Sequence, residues 1–376
     1  MESVRTPVLG AALALLATTV AAVPASADTA TAADVLQAGA ELGVSDGYPG
    51  VIGLVRDGDD AEYVHAGQND WFTGAPADPQ SPFRIGSNTK AFVATVLLQL
   101  EAEGLLSLDD TVAEWLPGVV DTENYDGADI TLRQLLNHTS GLPDHFQDLA
   151  VQARYSANLD PWGYWDRQGL VDAALAFAAP GAPGETYSYS NTNYVLAGMV
   201  VESVTGNAVS DEVRQRIIEP LGLTRTSFPT EPTMPEDAMS GHFWIGGLVI
   251  RDVTVSNVEF MGAAGAMVST LDDLATFHRA LLTGGLLPEA QLAQLKDVFP
   301  INDEGRGSGL GVIRMQTECG PAWQHTGGVL GYYTLWLASD DGERQVVAAA
   351  NEMHLLSGTQ GQQDVATAAL DAYCAL

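Results

Sequence analysis

Ser87 and Lys90 stand three residues apart in Phe83-Arg84-Ile85-Gly86-Ser87-Asn88-Thr89-Lys90, and Lys90 is one of only two lysines in this chain of 376 residues. The other 14 basic residues are arginines. A guanidinium stays protonated at any pH a protein meets, whereas a buried lysine can shed its proton and act as a base. The run Ala91 to Leu100 is apolar and ends near Gly104, which reads as a buried helix with Ser87 and Lys90 on one face of its first turn. Unpaired N–H groups at a helix N-terminus disfavour a protonated amine, and burial acts in the same direction. A neutral Lys90 would then take the hydroxyl proton of Ser87 and release a nucleophile, the logic of the Ser-x-x-Lys hydrolase motif.

Two distant clusters carry the polar groups that could complete a site. Tyr187-Ser188-Tyr189-Ser190-Asn191-Thr192-Asn193-Tyr194 follows the turn Pro180 to Gly184 and precedes a helical run, Val195 to Val204. By itself such a segment reads as a helix N-cap. Trp323-Gln324-His325-Thr326-Gly327-Gly328-Val329 leads into a strand beginning at Tyr332, and its glycines would let another backbone or a ligand come close.

The elements that must position these groups follow an α/β pattern with unlike ends and middle. Val51 to Val55 and Tyr63 to Ala66 read as a hairpin around Asp57-Gly58-Asp59-Asp60. Strands return at Gly309 to Ile313, Tyr332 to Ala338 and Gln345 to Ala350, before a last helix from Gln363 to Cys374. Residues 28–91 and 283–376 are therefore expected to build one α/β sheet domain, with 92–282 inserted as a mainly helical domain.

Arg5, the apolar run Val8 to Val23 and the small residues Pro24 to Ala27 predict a signal peptide over 1–27 and a secreted product. The competing reading is an uncleaved anchor, although the run is shorter than the ~20 residues a bilayer span needs. No later segment reads as a membrane span. In an oxidising compartment the only cysteines, Cys319 and Cys374, are most simply a disulfide. A formal net charge of −32 opposes binding to phosphate backbones and argues against nucleic acid as a partner. Oligomeric state is not specified by these features.

Ser87-x-x-Lys90, Tyr189-x-Asn191 and His325-Thr326-Gly327, with Leu136-Asn137-His138-Thr139-Ser140-Gly141-Leu142, make the chain resemble the penicillin-recognising serine hydrolases. It most resembles the secreted D-alanyl-D-alanine carboxypeptidases of the class C β-lactamase type. The resemblance implies an antiparallel sheet flanked by helices, the β-lactamase/transpeptidase-like fold, and an acyl-enzyme on Ser87 with Lys90 as base. It further implies that Tyr189 passes protons to the leaving group and that Asn191 holds the substrate amide. Ser87 and Gly328 N–H groups would form an oxyanion hole, and His325, Thr326 and Gly327 would bind substrate, His325 as a hydrogen-bonding neighbour of Tyr189. Peptidoglycan stem peptides are the substrate so implied, with β-lactams as inhibitors. The cysteine pair also looks like the disulfide of such enzymes.

The chain departs from the carboxypeptidase pattern where a terminal carboxylate is gripped. Gly328 stands where those enzymes carry threonine, and Ile313 stands at the clamp arginine, with Arg314 next to it. An esterase, a D-amino-acid amidase or peptidase, a β-lactamase and a non-hydrolytic penicillin-binding protein therefore stay open. There is no Gly-x-Ser-x-Gly elbow, no His-Glu-x-x-His helix and no dinucleotide glycine spacing, so no cofactor or metal is expected.

Overall fold

The computed structural model describes residues 30–245, 249–353 and 359–376. The predicted signal segment, 1–27, and His354 lie outside the described residues. Among the described residues nine strands form one sheet: β1 (Gly50–Asp57), β2 (Asp60–Asp70), β3 (Ala75–Pro76), β4 (Phe299–Pro300), β5 (Gly307–Ser308), β6 (Ile313–Thr317), β7 (Gly320–Val329), β8 (Tyr332–Ala338) and β9 (Arg344–Ala350). Their order is β3-β2-β1-β9-β8-β7-β6-β5-β4, and every neighbouring pair is antiparallel. The two chain ends meet where β1 pairs with β9, Val51 opposite Ala350.

Both faces of the central strands are buried, so their sequences are continuously apolar and the strand period sorts them. On β9, Val347 and Ala349 join the larger core, while Val346, Ala348 and Ala350 face the other way. That second face is covered by α1 (Ala32–Ser45) and the C-terminal helix Gln360–Ala375 through Leu36, Ala40, Val365, Ala369 and Tyr373.

The larger core is built around α2 (Thr89–Ala102), which is apolar on all sides because other elements surround it. Phe92 stacks on Phe277 of helix Leu271–Leu282 with centroids 3.6 Å apart. A further helix, α3 (Asn191–Thr205), packs its Tyr194, Leu196, Ala197 and Val200 into the same core. No helix among the described residues is long and apolar enough to cross a membrane.

The expected strand over Gly309 to Ile313 begins only at Ile313. Its glycines serve close packing: a Cβ on Gly311 would stand 2.9 Å from the carbonyl oxygen of Lys90, so the segment runs as a loop against the first turn of α2.

Candidate active site

Ser87 lies in a 3-10 turn, Gly86–Asn88, that runs straight into α2, so it precedes the α-helix and does not sit in its first turn. Gly86 has φ 53°, and a Cβ there would stand 2.7 Å from the Gly328 nitrogen. Gly327 is tighter still, since a Cβ would meet Ile85 O at 2.0 Å and Thr334 Oγ1 at 2.4 Å. These two glycines let the serine turn lie against β7. Asn88 Nδ2 locks the turn by donating to Ile85 O (3.0 Å) and Thr334 Oγ1 (2.5 Å).

Lys90 is fully buried, and its Nζ is 3.0 Å from Ser87 Oγ, 2.9 Å from Asn191 Oδ1 and 2.7 Å from Ala264 O. Burial pushes its pKa down to about 7, against the Asp144 carboxylate, which raises it. Asn191 Oδ1 and Ala264 O can only accept. A neutral amine therefore gives its two N–H groups to them and turns its lone pair toward Ser87.

Asn191 Nδ2 donates to Asp144 Oδ2 at 2.8 Å, which fixes the amide orientation that Lys90 requires. On the opposite side Tyr189 OH donates to Ser87 Oγ at 2.7 Å. Burial raises the Tyr189 phenol well above its ordinary range, so it remains a protonated donor. With Lys90 neutral, the hydrogen bonds run one way, from Tyr189 to Ser87 to Lys90. Such a chain can deliver the serine proton to the amine and another proton to a leaving group.

His325 is buried on β7 opposite Trp336, and its Nδ1 is 2.6 Å from Thr326 O. A carbonyl only accepts, so Nδ1 carries the proton. Burial, followed by the nearby Lys90 charge, lowers the His325 pKa to about 4 and leaves the ring neutral at pH 7. Its centroid is 6.3 Å from that of Tyr189, and its ring hydrogen bond goes to Thr326 and not to the Tyr189 hydroxyl.

The remaining residues singled out in the sequence fall in different places. Gly328 lines a cavity of about 290 Å³ with Ser87, Tyr189 and Asn191. Thr326 is exposed and borders a different cavity with Gln324 and Arg306. Ile313 is buried beside Gln324, and the exposed Arg314 acts electrostatically on Asp340 and does not line the Ser87 cavity. Cys319 and Cys374 are bonded, with Cα atoms 5.3 Å apart.

Asp144 is the functional group that the sequence did not single out. Its Oδ1 accepts from Phe146 N at 2.9 Å, the ordinary pattern of an N-cap, and only the fold brings it to Asn191, 47 positions away. Its side chain is 15% exposed and lines the cavity. Phe146, Tyr155, Met261 and Met353 supply apolar wall, and no spacing rule points to them. No cluster of His, Cys, Asp and Glu among the described residues could hold a metal ion.

Likeness to known proteins extends over most of the chain. The Beta-lactamase family model matches residues 29–370. Penicillin-binding protein 4* of Bacillus subtilis is 28% identical over 327 residues, 83% of this chain and 70% of that protein. Protein flp of Staphylococcus aureus is 31% identical over 196 residues, and the match spans only 38% of flp. A D-stereospecific amidohydrolase from Streptomyces superposes with a TM-score of 0.83 at 39% identity, covering 89% of this chain and 98% of that one. The D-amino acid amidase of Ochrobactrum anthropi SV3, complexed with L-phenylalanine amide, gives a TM-score of 0.77 at 28% identity, with 91% and 98% coverage. With its mixed α/β fold and a match running over nearly its whole length, the chain belongs to the beta-lactamase family of serine hydrolases.

Proposed function

We propose that the protein is a serine amidohydrolase that cleaves the amide after a residue with a free α-ammonium group, and that it prefers the D configuration. The observation that carries this reading is Asp144. A carboxylate lines the same cavity as Ser87, and no arginine or lysine is among its described lining residues, while by resemblance to the carboxypeptidases Ile313 stands at the clamp arginine. Such a site is complementary to a positive charge on the acyl side. The D preference is supported by the likeness to the Streptomyces amidohydrolase and the Ochrobactrum amidase.

In this reading Lys90 takes the Ser87 proton as Oγ attacks the carbonyl, and Ser87 and Gly328 N–H groups hold the oxyanion, a contact worth about 3 to 4 kcal/mol of barrier per donor. Tyr189 gives its proton to the departing amine and, as a phenolate, takes one back from the water that attacks the ester, while Lys90 returns its proton to Ser87 Oγ. Water then cleaves the ester, releasing the acid and restoring the Ser87 hydroxyl.

Purified protein should be offered D-phenylalanine amide, L-phenylalanine amide, N-acetyl-D-phenylalanine amide and a diacyl-Lys-D-Ala-D-Ala peptide, beside Ser87→Ala. Hydrolysis of the free D-amide about 10 to 100 times faster than its N-acetyl form is the expected result, the usual worth of a charge-assisted hydrogen bond. Equal rates on the two would sink the role of Asp144. Preferential cleavage of the diacyl peptide would favour the D-Ala-D-Ala carboxypeptidase reading, which draws its support from the penicillin-binding relative.

We also propose that the protein is exported, a reading supported by the Cys319–Cys374 disulfide. Recovery from the culture medium of a product beginning near Asp28 would agree, and retention in the cell would not.

A further inference from the structure

His138 is fully described by packing at first sight: a buried histidine in Leu136-Asn137-His138-Thr139, with no atom lining the cavity. Its bonds say more. The His138 carbonyl accepts from Ser188 N at 2.8 Å, and its Nδ1 accepts from Ser190 N at 3.3 Å. The residues on both sides of Tyr189 are thus tied to one histidine. The imidazole also lies against the Tyr189 ring, with centroids 4.4 Å apart and planes 32° from parallel.

The backbone of His138 makes this double grip attainable. Its φ is 62°, in the left-handed region that histidine enters more readily than most residues. A backbone N–H can only donate, so Nδ1 must be the unprotonated nitrogen and Nε2 carries the proton. Asn193 Nδ2 lies 3.2 Å from the same Nδ1, and Asn193 Oδ1 accepts from Ser140 Oγ at 2.6 Å, so the amide is oriented to donate to the ring. Burial and the neighbouring Lys90 charge keep His138 neutral, which preserves Nδ1 as an acceptor. Among the described residues the buried Nε2–H has no protein partner, so the ring is held by Nδ1 and by stacking.

We propose that His138 is the positioning residue for Tyr189, setting the phenol on Ser87 Oγ by gripping residues 188 and 190 and walling the ring between them. This rests on Tyr189 carrying the leaving-group proton. His138 would not touch substrate. Misplacement of a reacting group by about 1 Å can cost about 100-fold in rate, so the grip has kinetic weight.

The test is a double-mutant cycle on D-phenylalanine amide hydrolysis with His138→Asn and Tyr189→Phe. Asparagine also enters the left-handed region, and its Oδ1 can replace Nδ1 as acceptor for Ser190, while the stacked face is lost. His138→Asn alone should lower kcat about 10- to 100-fold with KM within about threefold. In the Tyr189→Phe background the same change should cost less than about twofold, because there is no phenolic proton left to position.

Equal losses in both backgrounds would overturn the proposal, since a merely structural defect is additive. Wild-type kcat in His138→Asn would overturn it while leaving Tyr189 in its role. Wild-type kcat in Tyr189→Phe would remove the role of Tyr189 and the proposal with it. Should His138→Asn not fold, ¹⁵N shifts of the wild-type imidazole decide: an Nε2–H tautomer at pH 7 agrees, and a proton on Nδ1 contradicts the grip.

Discussion

Asp144 Oδ2 lies 2.8 Å from Asn191 Nδ2, and this contact determines which way Lys90 can work. It turns Asn191 Oδ1 toward Lys90 Nζ, 2.9 Å away, where it claims one amine proton as Ala264 O claims another. Lys90 Nζ is therefore oriented by a carboxylate with which it shares no hydrogen bond. The same carboxylate opposes burial in setting the Lys90 pKa.

Activity should follow the deprotonation of Lys90. With a pKa near 7, kcat/KM for the amide should rise about tenfold per pH unit below that value and fall again above about 8, where the substrate's α-ammonium is lost. Lys90→Arg keeps the charge without the base and should lose about 100- to 10,000-fold at every pH. A pH profile with no acid limb between pH 5 and 8 would be inconsistent with Lys90 as base.

The same depressed pKa has a stability consequence whose sign is fixed. Between about 7 and the ordinary lysine value the unfolded chain binds a proton that the folded protein does not, so stability rises with pH across that window. The cost of burying Lys90 is fully present below pH 7. Wild type should therefore gain stability relative to Lys90→Met from pH 7 to pH 10, measured by urea unfolding, and a constant difference would refute it.

Asp144→Asn separates charge from orientation, because the new carboxamide oxygen can still accept from Asn191. KM for D-phenylalanine amide should rise about 10- to 100-fold while the N-acetyl substrate is little changed. Removing the negative charge should also move the acid limb to lower pH, since Asp144 raises the Lys90 pKa. A limb displaced upward would show that the carboxylate acts otherwise.

Gly327→Ala should be among the costliest single-methyl changes in the chain. The added carbon would stand 2.0 Å from Ile85 O and 2.4 Å from Thr334 Oγ1, both held by the Asn88 network behind Ser87. A loss of about 3 kcal/mol in denaturant unfolding, with a large drop in kcat, is expected for overpacking against backbone. A variant with wild-type stability would mean that the turn and β7 can part freely.

The Cys319–Cys374 bond closes a loop with sequence separation 55 and ties the last helix to the β6–β7 hairpin, on the face of the sheet away from Ser87. Replacing both cysteines by serine should lower stability by about 4 kcal/mol in the chain-entropy model, less any strain. Amide hydrolysis at 25 °C should be unchanged. A loss of kcat in the folded variant would contradict that separation of roles.

What the sequence revealed depended on how local each signal is. Tyr332 to Ala338 and Gln345 to Ala350 read as strands because burial on both faces leaves unbroken apolar runs. Ser87 and Lys90 were legible through type and spacing, since one turn of chain joins them. Gly309 to Val312 reads as strand but is loop, because glycines that serve close packing, Gly309 against Leu295 and Gly311 against Lys90, look like part of a strand. Asp144 and His138 were invisible as site residues: one resembles a helix cap and the other a packed ring, and their meaning lies in contacts to Asn191 and to residues 188 and 190.

The most direct test of the central claim is rapid-quench mass spectrometry of the protein during turnover of D-phenylalanine amide. The account predicts a transient D-phenylalanyl ester, mapped to the peptide containing Ser87, that forms and decays at rates consistent with kcat and is absent from Ser87→Ala. Undiminished hydrolysis by Ser87→Ala, or an adduct mapped to another residue, would contradict it.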